Sequence, residues 1–258
     1  MSDNNSKQTI PERLQTFNND LHKYLTEDKN LKNYLDNKNE LSYEIMMELK
    51  SRLHDVNNIV TLLTTIQFAK HFGIDTDKID NNPNATGYDF VYDDNNIVIV
   101  AEVKCNIPCS INKDGLRKYG SRQQEEIIKD LQGLINEKNK SQLKKEKTSR
   151  FPEAKKFLVV LAEDINNARD AMQSLINSID GCVKKEDAKG LSKAKNDIKT
   201  KLNELNIEKL SDIVKEYDIE TQNNTIETIK GLYNNKVYVV YITPNNKLIS
   251  EFLNKDKQ

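Results

Sequence analysis

G-Y-D-F-V-Y-D-D-N-N-I-V-I-V-A-E-V-K-C-N-I-P, residues 87–108, is the stretch on which the reading of this chain turns. Two runs rich in β-branched and aromatic residues, Tyr88–Tyr92 and Ile97–Cys105, flank the turn-forming cluster Asp93-Asp94-Asn95-Asn96, which is the pattern of a β-hairpin. The second run is almost continuously apolar, as expected of a central strand covered on both faces. Glu102 and Lys104 interrupt it. A charge inside such a strand needs a partner or a task, because burying it alone is costly.

Side chains alternate along a strand, so Glu102 and Lys104 share a face. A two-residue loop at Asp94-Asn95 and a four-residue loop over Asp93–Asn96 both set Asp89 across from Val100, on that same face. Two carboxylates and an ammonium then converge on one patch of a rigid sheet. Carboxylate oxygens suit a hard cation such as Mg²⁺, which keeps positions open for water and phosphate. Such a cation polarises a phosphoryl oxygen and acidifies water, while a lysine beside it orients that water or neutralises phosphate charge. The competing account is a plain Glu102–Lys104 salt bridge in an ordinary α/β sheet.

Asp89, twelve residues, then Glu102-Val103-Lys104 resembles the D…(D/E)-x-K signature of the PD-(D/E)xK nuclease superfamily, which includes type II restriction endonucleases, recombination nucleases and junction resolvases. Tyr88 stands where that signature has its proline. The resemblance covers about Ser42–Glu163 in order and implies a restriction-endonuclease-like α-β-β-β-α-β core. It implies a Mg²⁺-dependent DNA endonuclease, with Asp89 and Glu102 holding the metal and the Val103 carbonyl as a third ligand. Lys104 would position the attacking water and stabilise developing charge. Helices after the E-x-K strand in this superfamily often present a glutamine, for which Gln123 or Gln124 is placed. An upstream helix often adds an acidic ligand. Glu44, Glu48 and Asp55 are the candidates, each of which reads on its own as a solvated helix-face residue. Double-stranded DNA is the implied partner, and a homodimer suits cutting both strands of a duplex. A repair or recombination nuclease of the same fold is one alternative. Another is a non-catalytic DNA-binding or interaction protein that shares only the hairpin pattern.

Charged residues make up 31% of the 258, yet they cancel to a net charge of -1. Any nucleic-acid surface must therefore be a local patch. The clearest one is Lys138–Lys156, where eight basic residues stand against Glu146 and Glu153; the segment reads equally as a phosphate-tracking patch and as a solvated helix end and loop. No N-terminal apolar run is present, so neither a signal peptide nor a membrane span is expected. Cys105, Cys109 and Cys182 form no C-x-x-C pair and lie away from His22, His54 and His71. That disfavours a zinc site or a disulfide framework and fits a reducing cytoplasm. No P-loop and no G-x-S-x-G elbow occurs.

Around the hairpin the periodicity predicts an N-terminal helical extension over residues 1–41 and an α/β domain over 42–258. Leu49, Leu53, Val56, Val60, Leu63 and Ile66 step along one face of a helix from about Ser42 to Phe72, capped by Gly73. A helix is expected from about Leu116 to Glu137, with Ile127, Ile128, Leu131, Leu134 and Ile135 inward. Phe157–Ala162 and Val237–Thr243 read as buried strands, and Asp164–Asp180 as a helix. Lys184–Tyr217, charged and helical, reads as an inserted hairpin outside the core. The sum is a mixed central β-sheet flanked by helices, with an N-terminal helical region and a C-terminal helical insert.

Overall fold

Strand alternation and turn chemistry do build the hairpin. In a computed structural model of the chain, Phe90–Asp94 (β1) and Ile97–Lys104 (β2) pair antiparallel, closing with Asp94 opposite Ile97. The register sets Phe90 opposite Ala101, so one step back places Asp89 level with Glu102 rather than across from Val100. That correction is a slip of two residues. Because the side-chain period is also two, Asp89 stays on the face of Glu102 and Lys104. The structure describes residues 10–27, 43–76, 88–94, 96–105, 110–111, 117–136, 151–183, 193–219, 225–245 and 247–248.

The chain divides into two compact units, Met1–Leu63 with Asn245–Gln258, and Thr64–Pro244. Within the first, helix α1 (Ile10–Glu27) buries Leu14 and Tyr24, and the Arg52 guanidinium lies 5.1 Å over the Tyr24 ring. Arg52 belongs to helix α2 (Tyr43–His71). The early part of the apolar stripe expected on α2 is not inward, since Leu49 and Leu53 are exposed. Further along, Val56, Val60 and Leu63 are half-buried and Ile66 is buried, and burial extends to Phe68 and Ala69, which the stripe did not include, and to Phe72 just past the helix. Gly73 ends the helix at φ +64°, a conformation strained for any residue with a Cβ, as its capping role requires.

The second unit carries a five-stranded mixed sheet in the order β1-β2-β5-β7-β6, where β5 is Lys155–Leu161, β6 is Val214–Glu216 and β7 is Val237–Ile242. β1 is the antiparallel edge; β2, β5, β7 and β6 all run parallel. Connecting segments supply helices α3 (Ser121–Asn136), α4 (Ile165–Val183), α5 (Lys193–Glu204), α6 (Leu210–Ile213) and α7 (Ile226–Lys230). A two-stranded ribbon, β3 (Ser110–Ile111) with β4 (Arg117–Lys118), precedes α3. The helix expected from Leu116 therefore starts later, because Arg117 and Lys118 pair as strand.

Each face of the sheet has its own core. One buries Val98, Val100, Leu158, Val160, Val237 and Val239 under α3 and α4. The other buries Ile99, Ala101, Phe157, Val159, Tyr238 and Val240 under Phe68 of α2 and Phe72 just after it. Of the insert expected over 184–217, residues 184–192 lie outside the described residues, and the rest is corrected by the first core. Ala194, Ile198, Leu202, Leu210, Ile213 and Val214 are buried in it, and Val214–Glu216 is an edge strand of the main sheet. Spacing by four puts Ala194, Ile198 and Leu202 on one stripe, so a lysine-rich helix still has an inward face. No described helix is long and apolar enough to cross a membrane.

Candidate active site

Lys104 is the last residue of β2, and the chain returns from there through α3 to β5. That crossover lays α3 on the face bearing Val100 and, by alternation, Glu102 and Lys104. The lysine meets it: the Lys104 ammonium forms an ion pair with Asp130 of α3. Glu102 is 3% exposed and Asp130 7%. Tyr88 ties the same helix to the start of the hairpin. Its hydroxyl donates to the Gly133 carbonyl at 3.1 Å, and its ring stacks on Phe151 at 5.7 Å.

Asp89 joins the patch through the backbone. β1 begins at Phe90, and one step before it the Asp89 Oδ2 accepts the Val103 N–H at 2.8 Å. The carboxylate stands where a strand carbonyl would continue the ladder. Within a strand the N–H and C=O of one residue point to the same side, so the Val103 carbonyl turns to the Asp89 edge as well. Asp89, Glu102, Val103 and Lys104 are thus brought together at the carboxyl end of β2, and Asp130 joins them. Sequence reasoning missed Asp130. Its signal was a charge on the apolar stripe of α3, three residues after Ile127 and four before Leu134.

Burial pulls the Lys104 pKa down, but the carboxylates of Asp130, Asp89 and Glu102 outweigh it and hold the value above the ordinary 10.5. The sign follows: this pairing contributes stability in full below 10.5 and loses it as pH rises through the higher folded-state value. Three acidic side chains thus act on one ammonium.

Gln123 stands at the start of α3. Its Oε1 accepts the Gly120 N–H at 2.9 Å, the contact by which a third helical residue reaches back to the cap. Gln124 donates to the Tyr119 carbonyl at 2.8 Å. Gln123 lies seven residues before Asp130 on α3, a rise of about 10.5 Å. Gln123→Ala should lower stability by about 0.5–1.5 kcal/mol, read as a fall in melting temperature. Gln123→Glu keeps the acceptor and places an anion at the helix N-terminus, so it should hold the wild-type value.

Among the upstream acids, Asp55 pairs with Arg52 at 3.5 Å, while the side chains of Glu44 and Glu48 lie outside the described residues. Most of the basic segment, residues 137–150, also lies outside them. Its last two lysines are corrected from phosphate tracking to structure, because both are buried in β5. Lys155 donates to the Leu232 carbonyl and to Asn234 Oδ1. Lys156 sits 4.9 Å over the Phe151 ring. Tyr119, buried beside α3, has its hydroxyl pushed up to about 12 by desolvation.

A divalent cation can be tested against this donor set. Among the described residues no group of three or more His, Cys, Asp and Glu side chains is placed to hold a metal ion. The protein's share would therefore be the Asp89 and Glu102 carboxylates and the Val103 carbonyl. That share fits Mg²⁺, which is commonly held through one or two carboxylates and keeps several waters. The excess of acidic over basic side chains in the patch fits it too. No protein-family model, no curated protein and no solved structure matches this chain.

Proposed function

We propose that the chain is a Mg²⁺-dependent nuclease that hydrolyses phosphodiester bonds of double-stranded DNA, most like a type II restriction endonuclease. The observation that carries the reading is the Asp89 carboxylate on the Val103 N–H. It brings the first acid of the D…E-x-K pattern to the strand that bears the other two residues. The order of hairpin, helix and parallel strand, with β5 beside β2, is compatible with a restriction-endonuclease-like core, although among the described residues two strands of the main sheet, not three, precede α3.

Asp89 and Glu102 would hold the cation with the Val103 carbonyl, and the bound cation would supply Lewis-acid polarisation of the scissile phosphoryl group. Lys104 acts on charge that develops in the transition state. Its ammonium has three donors, so one committed to Asp130 leaves two for phosphate oxygen and attacking water. Burial of Glu102 and Asp130 keeps competing water away and strengthens each of these interactions. A homodimer, two sites related by a two-fold axis, suits cleavage of both strands.

The test is nicking of supercoiled plasmid DNA by the purified chain. Cleavage should require Mg²⁺ or Mn²⁺ and stop on chelation. A wild type that leaves the plasmid intact with every divalent cation tried would favour the non-catalytic account, in which Lys104 and Asp130 form a buried structural pair.

A further inference from the structure

β5 leads into α4, which packs in the first core, while β6 leads into α7, whose Ile229 packs in the second. The two connections leave the sheet on opposite faces, and β7 lies between their strands. Where connections diverge in this way, an open α/β sheet has a crevice at the carboxyl ends of its strands. Here it is a cavity of about 260 Å³ whose lining includes Ile165, Asn166, Arg169, Glu216 and Tyr241. The acceptors around it are engaged. Both Glu216 oxygens accept from Arg169 Nε, at 2.8 Å and 3.0 Å, and Nη2 lies 2.7 Å from one of them. Asn166 Oδ1 accepts from Arg169 Nη1 at 3.0 Å. Asp164 caps α4, one oxygen accepting the Asn167 N–H at 3.1 Å and the other the Asn167 amide at 2.6 Å. Asp218, also in the lining, has partners of its own.

Donors remain. Arg169 keeps a hydrogen on Nη1 and another on Nη2, and Glu216 and Asn166 hold the guanidinium in a fixed direction. The Asn166 side chain keeps its NH₂ group. The Ile165 and Asn166 backbone N–H groups have no intrahelical acceptor, because the cap reaches only Asn167 and Ala168. Tyr241 is 6% exposed, yet among the described residues its hydroxyl bonds to nothing. Its ring lies under the Arg169 guanidinium at 5.8 Å. Burial pushes that hydroxyl well above its ordinary 10.0, so it stays protonated and can donate. We infer that this cavity binds the phosphate group of a small molecule, with Arg169, Asn166, the first turn of α4 and Tyr241 as its donors, a role beyond the nuclease reading and independent of it. The donors exceed the about four lone-pair sites of a carboxylate and suit the acceptor oxygens of a phosphate. The N-terminus of the 19-residue α4 favours an anion there. Glu216 holds one side of the guanidinium and leaves the other side open.

The test is titration of the full chain, free of DNA and of divalent metal, with inorganic phosphate as the probe and backbone amide NMR shifts as the readout. The Ile165 and Asn166 amide signals should move and saturate. Acetate, which offers fewer oxygens, should bind about 10-fold more weakly or worse. Tyr241→Phe removes a hydroxyl that bonds to nothing in the free protein, so its melting curve should match that of the wild type. Its affinity for phosphate should nevertheless fall about 10–100-fold, the usual loss of a hydrogen bond to a charged group. A hydroxyl that served packing alone would move stability and leave phosphate binding untouched. Arg169→Lys keeps the charge and loses the planar fork, and should weaken phosphate by a similar factor. Phosphate that leaves both amides unmoved overturns the inference. So does a Tyr241→Phe protein that binds phosphate as the wild type does, or acetate that binds as tightly as phosphate. If Tyr241→Phe is unfolded at the assay temperature, Arg169→Lys carries the comparison, and unchanged phosphate binding there overturns the inference equally. Nicking of plasmid DNA, present or absent, bears on the nuclease reading alone.

Discussion

Asp89→Asn and Lys104→Ala should each slow Mg²⁺-dependent nicking of supercoiled DNA by about 10²–10³-fold, the usual loss when one well-placed electrostatic group is removed. Stability should separate the two. Asparagine keeps an oxygen that can accept the Val103 N–H, and residue 89 is exposed, so Asp89→Asn discards charge and little else. Its melting temperature should stay near that of the wild type. Lys104→Ala strips the buried Asp130 of its cation, at a cost of about 3–5 kcal/mol, and should melt early. Lys104 is expected to act mainly in the transition state, so the loss should fall on kcat more than on DNA affinity. The measurement pairs thermal unfolding with single-turnover nicking. An Asp89→Asn protein that cuts as fast as wild type would sink the nuclease reading, because no cation ligand could be replaced so harmlessly.

The faces of the hairpin were legible from sequence and its register was not, for one physical reason. Alternation tells which residues share a side, and that parity survives a slip of two. Only the closing pair, Asp94 with Ile97, fixes which residues stand opposite, and four consecutive turn-forming residues allow several closures. Asp130 escaped because a lone carboxylate in a helix looks solvated until the strand beneath it is known to carry a lysine. Its place on the Ile127–Leu134 stripe was the available sign. Residues 193–216 were misread for the opposite reason. Lysines dominate the count, but burial is decided by the stripe of Ala194, Ile198 and Leu202, and a three-residue edge strand is too short to carry its own pattern. On α2 periodicity named an apolar face, yet periodicity does not say how far along a helix that face is covered, and Leu53 is 62% exposed.

Phe157→Ala should cost about 3–5 kcal/mol of stability, the range for deleting a fully buried phenyl ring. Phe157 is 0% exposed in the middle of β5 and packs on the sheet face opposite Glu102 and Lys104. Its ring centroid lies 5.2 Å from Phe68, 5.9 Å from Phe72, 5.9 Å from Tyr238 and 6.3 Å from Tyr217. One truncation therefore opens contacts among α2, β5, β7 and the turn after β6. Such aromatic pairs contribute roughly 0.5–1.5 kcal/mol beyond the area they bury. Close packing keeps the remaining rings from filling the space, so the cavity penalty adds to the lost transfer energy. Phe157→Leu retains most of the volume and should lose less. The measurement is urea unfolding, with a lowered midpoint and an unchanged slope expected for a change in stability alone. Because the ring lies on the far side of the sheet, the folded fraction of Phe157→Ala should bind Mn²⁺ as wild type does. A loss below about 1 kcal/mol would mean that this aromatic cluster does not close the second core, since surface substitutions alone give effects that small.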